Sequence, residues 1–363
     1  MKLTPLIEEH RKAGAKLAPF GGWLMPIQYT GIIAEHQWTR SSCALFDICH
    51  MGEFIIEGDA QETNFENIVT LSPANMPLNT CRYGFMLNEQ GGVIDDVIVY
   101  RIGRDKWMMV VNAGTIESDE QHLRQHLSPK ARLENVSASL AKLDIQGPRS
   151  GMVMKKIAGE AIAGLRYYTF DYFSFLGQKN IISRTGYTGE LGYEVYIAAE
   201  KVNELWNVLL LDSDVKPAGL GARDTLRLEV GYPLYGQDID HTSTPLEAGL
   251  AAFVDFNKEF IGKEALLKQK QAALKRGLSC FITDSRRAAR HNYAVYSGDK
   301  QIGVVTSGSF SPSLSRGIGM AYISPEYGVP GTPVTLRQGT VEIQAMITEK
   351  PFYKNGTARG LTE

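Results

Sequence analysis

Apolar and polar side chains alternate along residues 82–114, and the alternation stops at clusters of turn-forming residues. RYGFMLN predicts a strand, EQGG a turn, VIDDVIVYRI a second strand, GRDK another turn and WMMVVNAG a third strand, together a β-meander. With an even number of residues in the first turn, Asn88 pairs with Val93 and Tyr83 with Ile98. Tyr83 then shares a face with Asp96 and Tyr100, and the register of Asn112 stays open.

The rest of the pattern is less regular. Thr4 and Pro5 open a short charged helix. Residues 23–29 (WLMPIQY) read as an irregular apolar segment broken by Pro26, and residues 31–44 as helical. GEFIIEG is a strand, and Asp59 caps a helix running to about Val69. TIESDEQHLRQHL is a polar helix with Thr115 as its cap. Between residues 135 and 211 short strands alternate with helices. The glycine-rich AGLGARDTLRLE leads into a helix that Pro233 ends. KEALLKQKQAALKRG is a solvated connecting helix, and the short strands beyond Leu278 predict a small β-barrel.

Asp95 and Asp96 interrupt the second strand of the meander. Neighbouring strand residues point to opposite faces, so Asp96 lies with Ile94, Ile98 and Tyr100, and Asp95 with Val97, Val99 and Arg101. Both faces are mostly apolar, so at least one carboxylate occupies a half-buried site, which costs several kcal/mol without a partner. Two readings stay open: an acid that closes a salt bridge or marks an edge strand, or an acid that meets a ligand with N–H groups. A face with two tyrosines and an acid suits an aromatic polar ligand.

Size and charge narrow the class. The 363 residues suggest two or three domains, and 44% hydrophobic with 21% charged residues is ordinary for a soluble enzyme. A net charge of -2 gives no global attraction to nucleic acid or an anionic membrane. No segment approaches the roughly 18–20 apolar residues of a membrane span. The first residues lack the apolar stretch of a signal peptide, so a cytoplasmic protein is expected. The four cysteines form no CxxC pair, and Cys43, Cys49 and His50 lack the second half of a metal nest.

Other motifs divide similarly. RTGYTGELGYE is neither a dinucleotide fingerprint nor a P-loop. Its glycines serve tight turns, or else they present Tyr187 and Glu194 to a ligand. A glutamate suits two adjacent N–H groups of an aminopyrimidine-like edge. Arg223 and Arg227, one helical turn apart, either pair locally or anchor an acid or a substrate carboxylate. Gly219 and Gly221 permit close backbone approach. His122 and His126 lack the HExxH pattern and read as surface residues.

PFGGWLMPIQY, EHQWTRSSCALFDICHMG, GGVIDDVIVYR, RTGYTGELGYE, GARDTLRLE, PLYGQDID and GVVTSGSFSPSL stand in the order found in aminomethyltransferases, the T-proteins of the glycine cleavage system. The resemblance runs from about residue 4 to residue 352. It implies an α+β, three-domain, cloverleaf-like folate-binding fold with antiparallel sheets and a C-terminal barrel. Residues 1–275 would form two interleaved subdomains (about 1–50 with 138–245, and 51–137 with 246–275), and residues 276–363 the barrel. The implied reaction releases the aminomethyl group carried on the lipoyl arm of H-protein as ammonia and methylene-tetrahydrofolate. Asp96 resembles the catalytic aspartate. Met51, Tyr83, Ile98, Tyr100, Asn112, Tyr168, Tyr187 and Tyr235 resemble walls of the folate pocket, Glu194 the pterin-binding glutamate, and Arg223 the arginine of the GAR motif. Arg290 is similar in place to an arginine near the cavity. Tetrahydrofolate is the implied co-substrate, with no metal or nucleotide, and lipoylated H-protein the partner, with no nucleic acid or membrane. Cys49 stands where the family usually has serine, and Ala44 where it often has glycine. Rival readings on the same scaffold are a folate-dependent demethylase, a non-catalytic folate-binding factor for iron–sulfur assembly, and a former domain of a flavin-linked oxidase. KEFIGKEA lacks the cysteine of the assembly factors, and no flavin fingerprint occurs.

Overall fold

Alternation along the strands decides the layers of the molecule, of which the computed structural model describes residues 1–360. In the strand Leu140–Gln146, Leu143 and Ile145 enter an apolar core with Val195 and Ile197 of Gly192–Ala198 and with Cys43 and Leu45 of Cys43–Asp47. The helices Ser150–Ala158 and Val202–Leu210 cover that face with Val153, Met154, Leu205 and Trp206. Lys142, Asp144 and Gln146 alternate with the apolar set and take the opposite face, beside Glu194 and Tyr196.

This sheet has six strands in the order Phe170–Phe175, Gln178–Ser183, Gly192–Ala198, Leu140–Gln146, Cys43–Asp47, Val215–Pro217. A second sheet has five, ordered Cys81–Leu87, Val93–Gly103, Lys106–Val111, Gly52–Glu57, Arg132–Asn135. On its covered face Val97, Val99, Trp107 and Met109 pack against Phe65, Ile116 and Leu123 of the helices Phe65–Ile68 and Ile116–His126. Its other face turns Tyr100, Met108 and Val110 toward Phe170 and Tyr196 of the six-stranded sheet. The two sheets thus meet across a layer that is part apolar and part polar.

The α+β class holds, with antiparallel ladders throughout both sheets except where Val215–Pro217 runs parallel to Cys43–Asp47. The C-terminal strands Gly277–Thr283, Arg316–Ile323, Lys300–Ser311, Ala294–Ser297, Pro333–Gln338 and Val341–Thr348 close into a barrel around Phe281, Val305 and Leu336. The helix Leu220–Glu229 joins the sheets to this barrel. Arg227 reaches Asp238 at 2.7 Å and Ser307 at 2.8 Å, and Glu229 accepts hydrogen bonds from Ser313 N at 3.0 Å and Ser313 Oγ at 2.8 Å.

Local readings need correction in four places. Residues 23–29 are not irregular, because Trp23–Gln28 is a strand that pairs with Lys16–Phe20 and briefly with Lys2–Leu3. The pairing with Lys2–Leu3 covers only Trp23 and Leu24, so Pro26 needs to supply no N–H on that side. The helix in residues 31–44 stops at Ser41, and a strand starts at Cys43. Asp59 does accept Gln61 N at 2.9 Å and Glu62 N at 3.0 Å, but the α-helix that follows is the single turn Phe65–Ile68. In the meander Tyr83 pairs with Ile98, whereas a bulge between Met86 and Leu87 moves Val93 opposite Leu87 and leaves Asn88 N bonded to Gly92 O.

Candidate functional site

Where the five-stranded sheet faces the six-stranded one, Asp96 is half-buried opposite Phe85. Its two oxygens are held separately. Tyr83 Oη donates to Oδ2 at 2.8 Å, and Asn112 Nδ2 donates to Oδ1 at 2.7 Å. Asn112 lies just past the last ladder pairs of Lys106–Val111, so its amide reaches around the edge of the neighbouring strand. Burial pushes the Asp96 carboxyl above the ordinary range, and the Tyr83 and Asn112 hydrogen bonds pull it partly back. Each oxygen keeps lone-pair capacity for a ligand.

Tyr83 stands edge-on to Phe85 at 5.2 Å and to Phe253 at 4.9 Å, which fixes its hydroxyl over Asp96. Ile98, Tyr100, Met51 and Tyr168 belong to one cluster between the sheets. Tyr168 takes φ 62, a left-handed value uncommon for a tyrosine. Backbone bonds from Tyr168 N to Arg184 O and from Cys81 N to Tyr168 O, both 3.0 Å, hold it there.

Glu194 lies nearby on Gly192–Ala198. Its Oε2 accepts Thr185 Oγ1 at 2.7 Å and Tyr100 Oη at 3.3 Å, while Oε1 meets no hydrogen-bond donor among the described residues. Arg223 pairs through Nη1 with Asp144, and its guanidinium sits 5.1 Å from the centre of the Tyr187 ring. Tyr187 also stacks on Tyr232 at 5.8 Å and donates its hydroxyl to Pro233 O. Tyr235 packs with Tyr83 in the cluster around Leu87 and Val93. Arg290 is exposed on the barrel, and its hydrogen bond goes to Gly308 O at 3.1 Å rather than to any of these side chains.

In RTGYTGELGYE the middle glycine, Gly189, takes a left-handed φ of 80, as a tight turn requires, while the other two answer to packing. A Cβ at Gly186 or Gly192 would fall 2.1 or 2.0 Å from the Gln146 amide nitrogen. Gly219 approaches a backbone, as its sequence allows, but the backbone is that of Ile27, with 2.3 Å left for a Cβ.

Sequence reasoning missed Lys142, Asp144 and Glu53. Their signal was in LAKLDIQ and GEFIIEG, apolar strands interrupted by charges just as VIDDV is. Lys142 is buried, with Nζ 3.3 Å from Met51 Sδ and 5.3 Å from the Tyr196 ring centre. Burial pushes the Asp144 carboxyl up to about 6 while Arg223 works against it. Burial likewise pushes Glu53 up to about 8 against the pull of Lys142, and Oε1 of Glu53 meets no donor among the described residues. A folded value above the ordinary 4.5 means that Glu53 contributes fully below that pH, and that this stability is lost as pH rises through about 8. Glu53→Gln therefore stabilises the protein by about 4 kcal/mol at alkaline pH relative to its effect at pH 5. Urea midpoints of both proteins at pH 5 and pH 9 check this, and parallel pH dependences would refute it.

Among the described residues no His, Cys, Asp and Glu side chains gather into a metal-ligating group, and no helix is long and apolar enough to cross a membrane. Residues 6–258 match the GCVT N-terminal domain family, and residues 276–354 match the glycine cleavage T-protein C-terminal barrel domain. The aminomethyltransferase of Halothermothrix orenii is 45% identical over 356 residues, covering 97% of this chain and 100% of that protein. That of Caldanaerobacter subterraneus subsp. tengcongensis is 42% identical over 360 residues, covering 98% and 96%. The crystal structure of glycine cleavage system aminomethyltransferase T from Bartonella henselae is similar with a TM-score of 0.91 at 32% identity, over 98% of this chain and 99% of that one.

Proposed function

Because the chain belongs to the aminomethyltransferase family of glycine cleavage T-proteins, we propose that it binds tetrahydrofolate between its two large sheets and takes the aminomethyl group from lipoylated H-protein. The observation that carries this is the half-buried Asp96 carboxyl, held by Tyr83 and Asn112 and flanked by aromatic rings. The donor chemistry fits a folate. Glu194 Oε1 faces no donor among the described residues, so it is available to paired N–H groups of a pterin. Tyr83, Tyr100, Tyr168, Tyr187, Tyr235, Met51 and Ile98 supply flat apolar walls, and Arg223 holds Asp144 and Tyr187 in place.

Tetrahydrofolate, when bound, supplies the nitrogens that receive the one-carbon unit. The protein's part is to exclude water and to place a fixed negative charge. In its ionised form Asp96 stabilises positive charge that develops as ammonia leaves, and in a water-poor site that interaction is strong. The same carboxyl is close enough to the pocket to move a proton. This reading also keeps the division of the chain into two interleaved subdomains and a barrel.

The test uses the purified protein, tetrahydrofolate and H-protein loaded with the aminomethyl group. Methylene-tetrahydrofolate and ammonia should form together in equal amounts. Folate binding without either product would overturn the donor assignment, and no folate binding would overturn the site.

A further inference from the structure

Tyr196 is buried between the two large sheets, and nothing in the reaction as described uses its hydroxyl. It stands two residues beyond Glu194 on the strand Gly192–Ala198, and so on the same face. Its Oη donates to Oη of Tyr100, a residue of the other sheet, at 2.9 Å. Tyr100 Oη lies 3.1 Å from Ser183 Oγ and 3.3 Å from Glu194 Oε2. Ser183 Oγ in turn lies 2.7 Å from Thr185 Oγ1, which donates to the same Glu194 oxygen at 2.7 Å. Ser183 reaches this point because it pairs with Glu194 in the ladder between their strands.

Each hydroxyl carries one hydrogen, and that count sets the direction of the chain. A carboxylate only accepts, so the Thr185 hydrogen goes to Glu194 Oε2 and Thr185 is left to accept from Ser183. Tyr196 has no other hydrogen-bond partner among the described residues, so its hydrogen goes to Tyr100. Tyr100, already accepting, passes its own hydrogen to Ser183 or directly to Glu194. Both routes end on Oε2, and no hydrogen of the chain is left for Oε1. Burial pushes the Tyr100 and Tyr196 phenols well above their ordinary range, so both keep the hydrogen they donate. The rings are held in turn. Tyr100 and Tyr196 meet edge-on at 5.5 Å, Tyr100 tilts against Phe170 at 5.4 Å, and Lys142 Nζ sits 5.3 Å from the centre of the Tyr196 ring.

We propose that Tyr196, Ser183 and Thr185 are positioning residues for Glu194: their hydroxyls, linked through Tyr100, pin Oε2 and leave Oε1 as the acceptor for the paired N–H groups of the pterin. This role rests on the reading of Glu194 as the pterin-binding carboxylate. It also ties the two sheets together at the site. Tyr100 shares a strand face with Asp96, whereas Ser183, Glu194 and Tyr196 belong to the six-stranded sheet.

Calorimetric titration of the purified protein tests this with two ligands, tetrahydrofolate and an analogue in which methyl replaces the amino group on pterin carbon 2. Tyr196→Phe should weaken tetrahydrofolate binding about fivefold, the effect of losing one hydrogen bond. The analogue lacks one of the two N–H partners, so its binding should weaken less than about twofold. Thr185→Val should weaken tetrahydrofolate about tenfold or more, because it removes a hydrogen bond to a charge, and Thr185→Ser should restore it. Equal losses for the two ligands, or a serine variant no better than the valine one, would show a packing role only and overturn the chain. Should Tyr196→Phe not fold, the valine and serine variants give the reading by themselves. Glu194→Ala measured alongside separates the chain from the site. Undiminished tetrahydrofolate binding in that variant would mean that Glu194 does not hold the pterin. A loss there, with binding unchanged in Tyr196→Phe and Thr185→Val, would overturn the chain alone.

Discussion

Asp96→Asn lowers turnover by about a hundredfold or more, the range typical for a single electrostatic or acid–base group. The substitution keeps the shape. The new amide nitrogen cannot face Asn112 Nδ2, which is itself a donor, so it turns to Tyr83, whose hydroxyl can accept as well as donate. The packing around the side chain is retained, and folate affinity should change little beside the loss in turnover. In the unaltered protein the acid limb should lie above the ordinary carboxylate range of about 4, because burial raises Asp96. Protonation on lowering the pH removes the charge, so activity is lost on the acid side. That limb should be absent from whatever activity Asp96→Asn retains. Near-normal turnover in this variant would remove Asp96 from the mechanism.

Glu229→Ala should destabilise the protein by about 3–5 kcal/mol, as expected when one partner of a buried charge network is removed. Glu229 ends the helix Leu220–Glu229, where the backbone disfavours a negative charge. It is nonetheless held ionised. Arg40 donates to Oε2 at 2.9 and 3.2 Å, and His36 Nε2 lies 3.1 Å from the same oxygen. Ser311 Oγ and Ser313 N reach Oε1 at 2.5 and 3.0 Å. Burial opposes ionisation, but His36, Arg40 and Ser311 overcome it and hold the carboxyl down at about 2. Its contribution is therefore complete above the ordinary 4.5 and is lost as the pH falls through about 2. The alanine variant leaves Arg40 and His36 buried beside a gap and unties the helix from the barrel loop at 311–313. Urea unfolding at pH 7 gives the measurement. A loss under about 1 kcal/mol would show that this network does not hold the barrel on.

What was legible in the chain follows from how local the cause is. Strand alternation placed Asp95 and Asp96 on opposite faces, and the count across the first turn gave the pairing of Tyr83 with Ile98, which holds because the register there keeps the apolar side chains buried. The pairing of Asn88 with Val93 failed because the Met86–Leu87 bulge depends on the neighbours of the turn: a Cβ on Gly92 would fall 2.0 Å from His241 O, a contact made by a distant segment. Residues 23–29 looked irregular because Pro26 disqualifies a central strand, and only the short reach of Lys2–Leu3 leaves room for it. The family resemblance carried Glu194 and Arg223. It did not show that Arg223 is held by Asp144, since that contact joins residues from a helix and a strand distant in sequence. Lys142 and Asp144 could have been found by the same interrupted-strand argument that drew attention to Asp96.

The two large sheets differ in how far apart their strands lie along the chain. All strands of the five-stranded sheet come from one continuous stretch, Gly52–Glu57 to Arg132–Asn135. In the six-stranded sheet, Cys43–Asp47 lies between Leu140–Gln146 and Val215–Pro217. Of these two sheets the inserted one is thus the first to have all its strands during synthesis, while Cys43–Asp47 must wait for a long intervening chain to be made and folded. Contacts of such sequence separation are slow to form. The polar face that opposes Asp96 therefore takes shape only after the meander that carries Asp96, so the carboxylate is in place before the surface it faces.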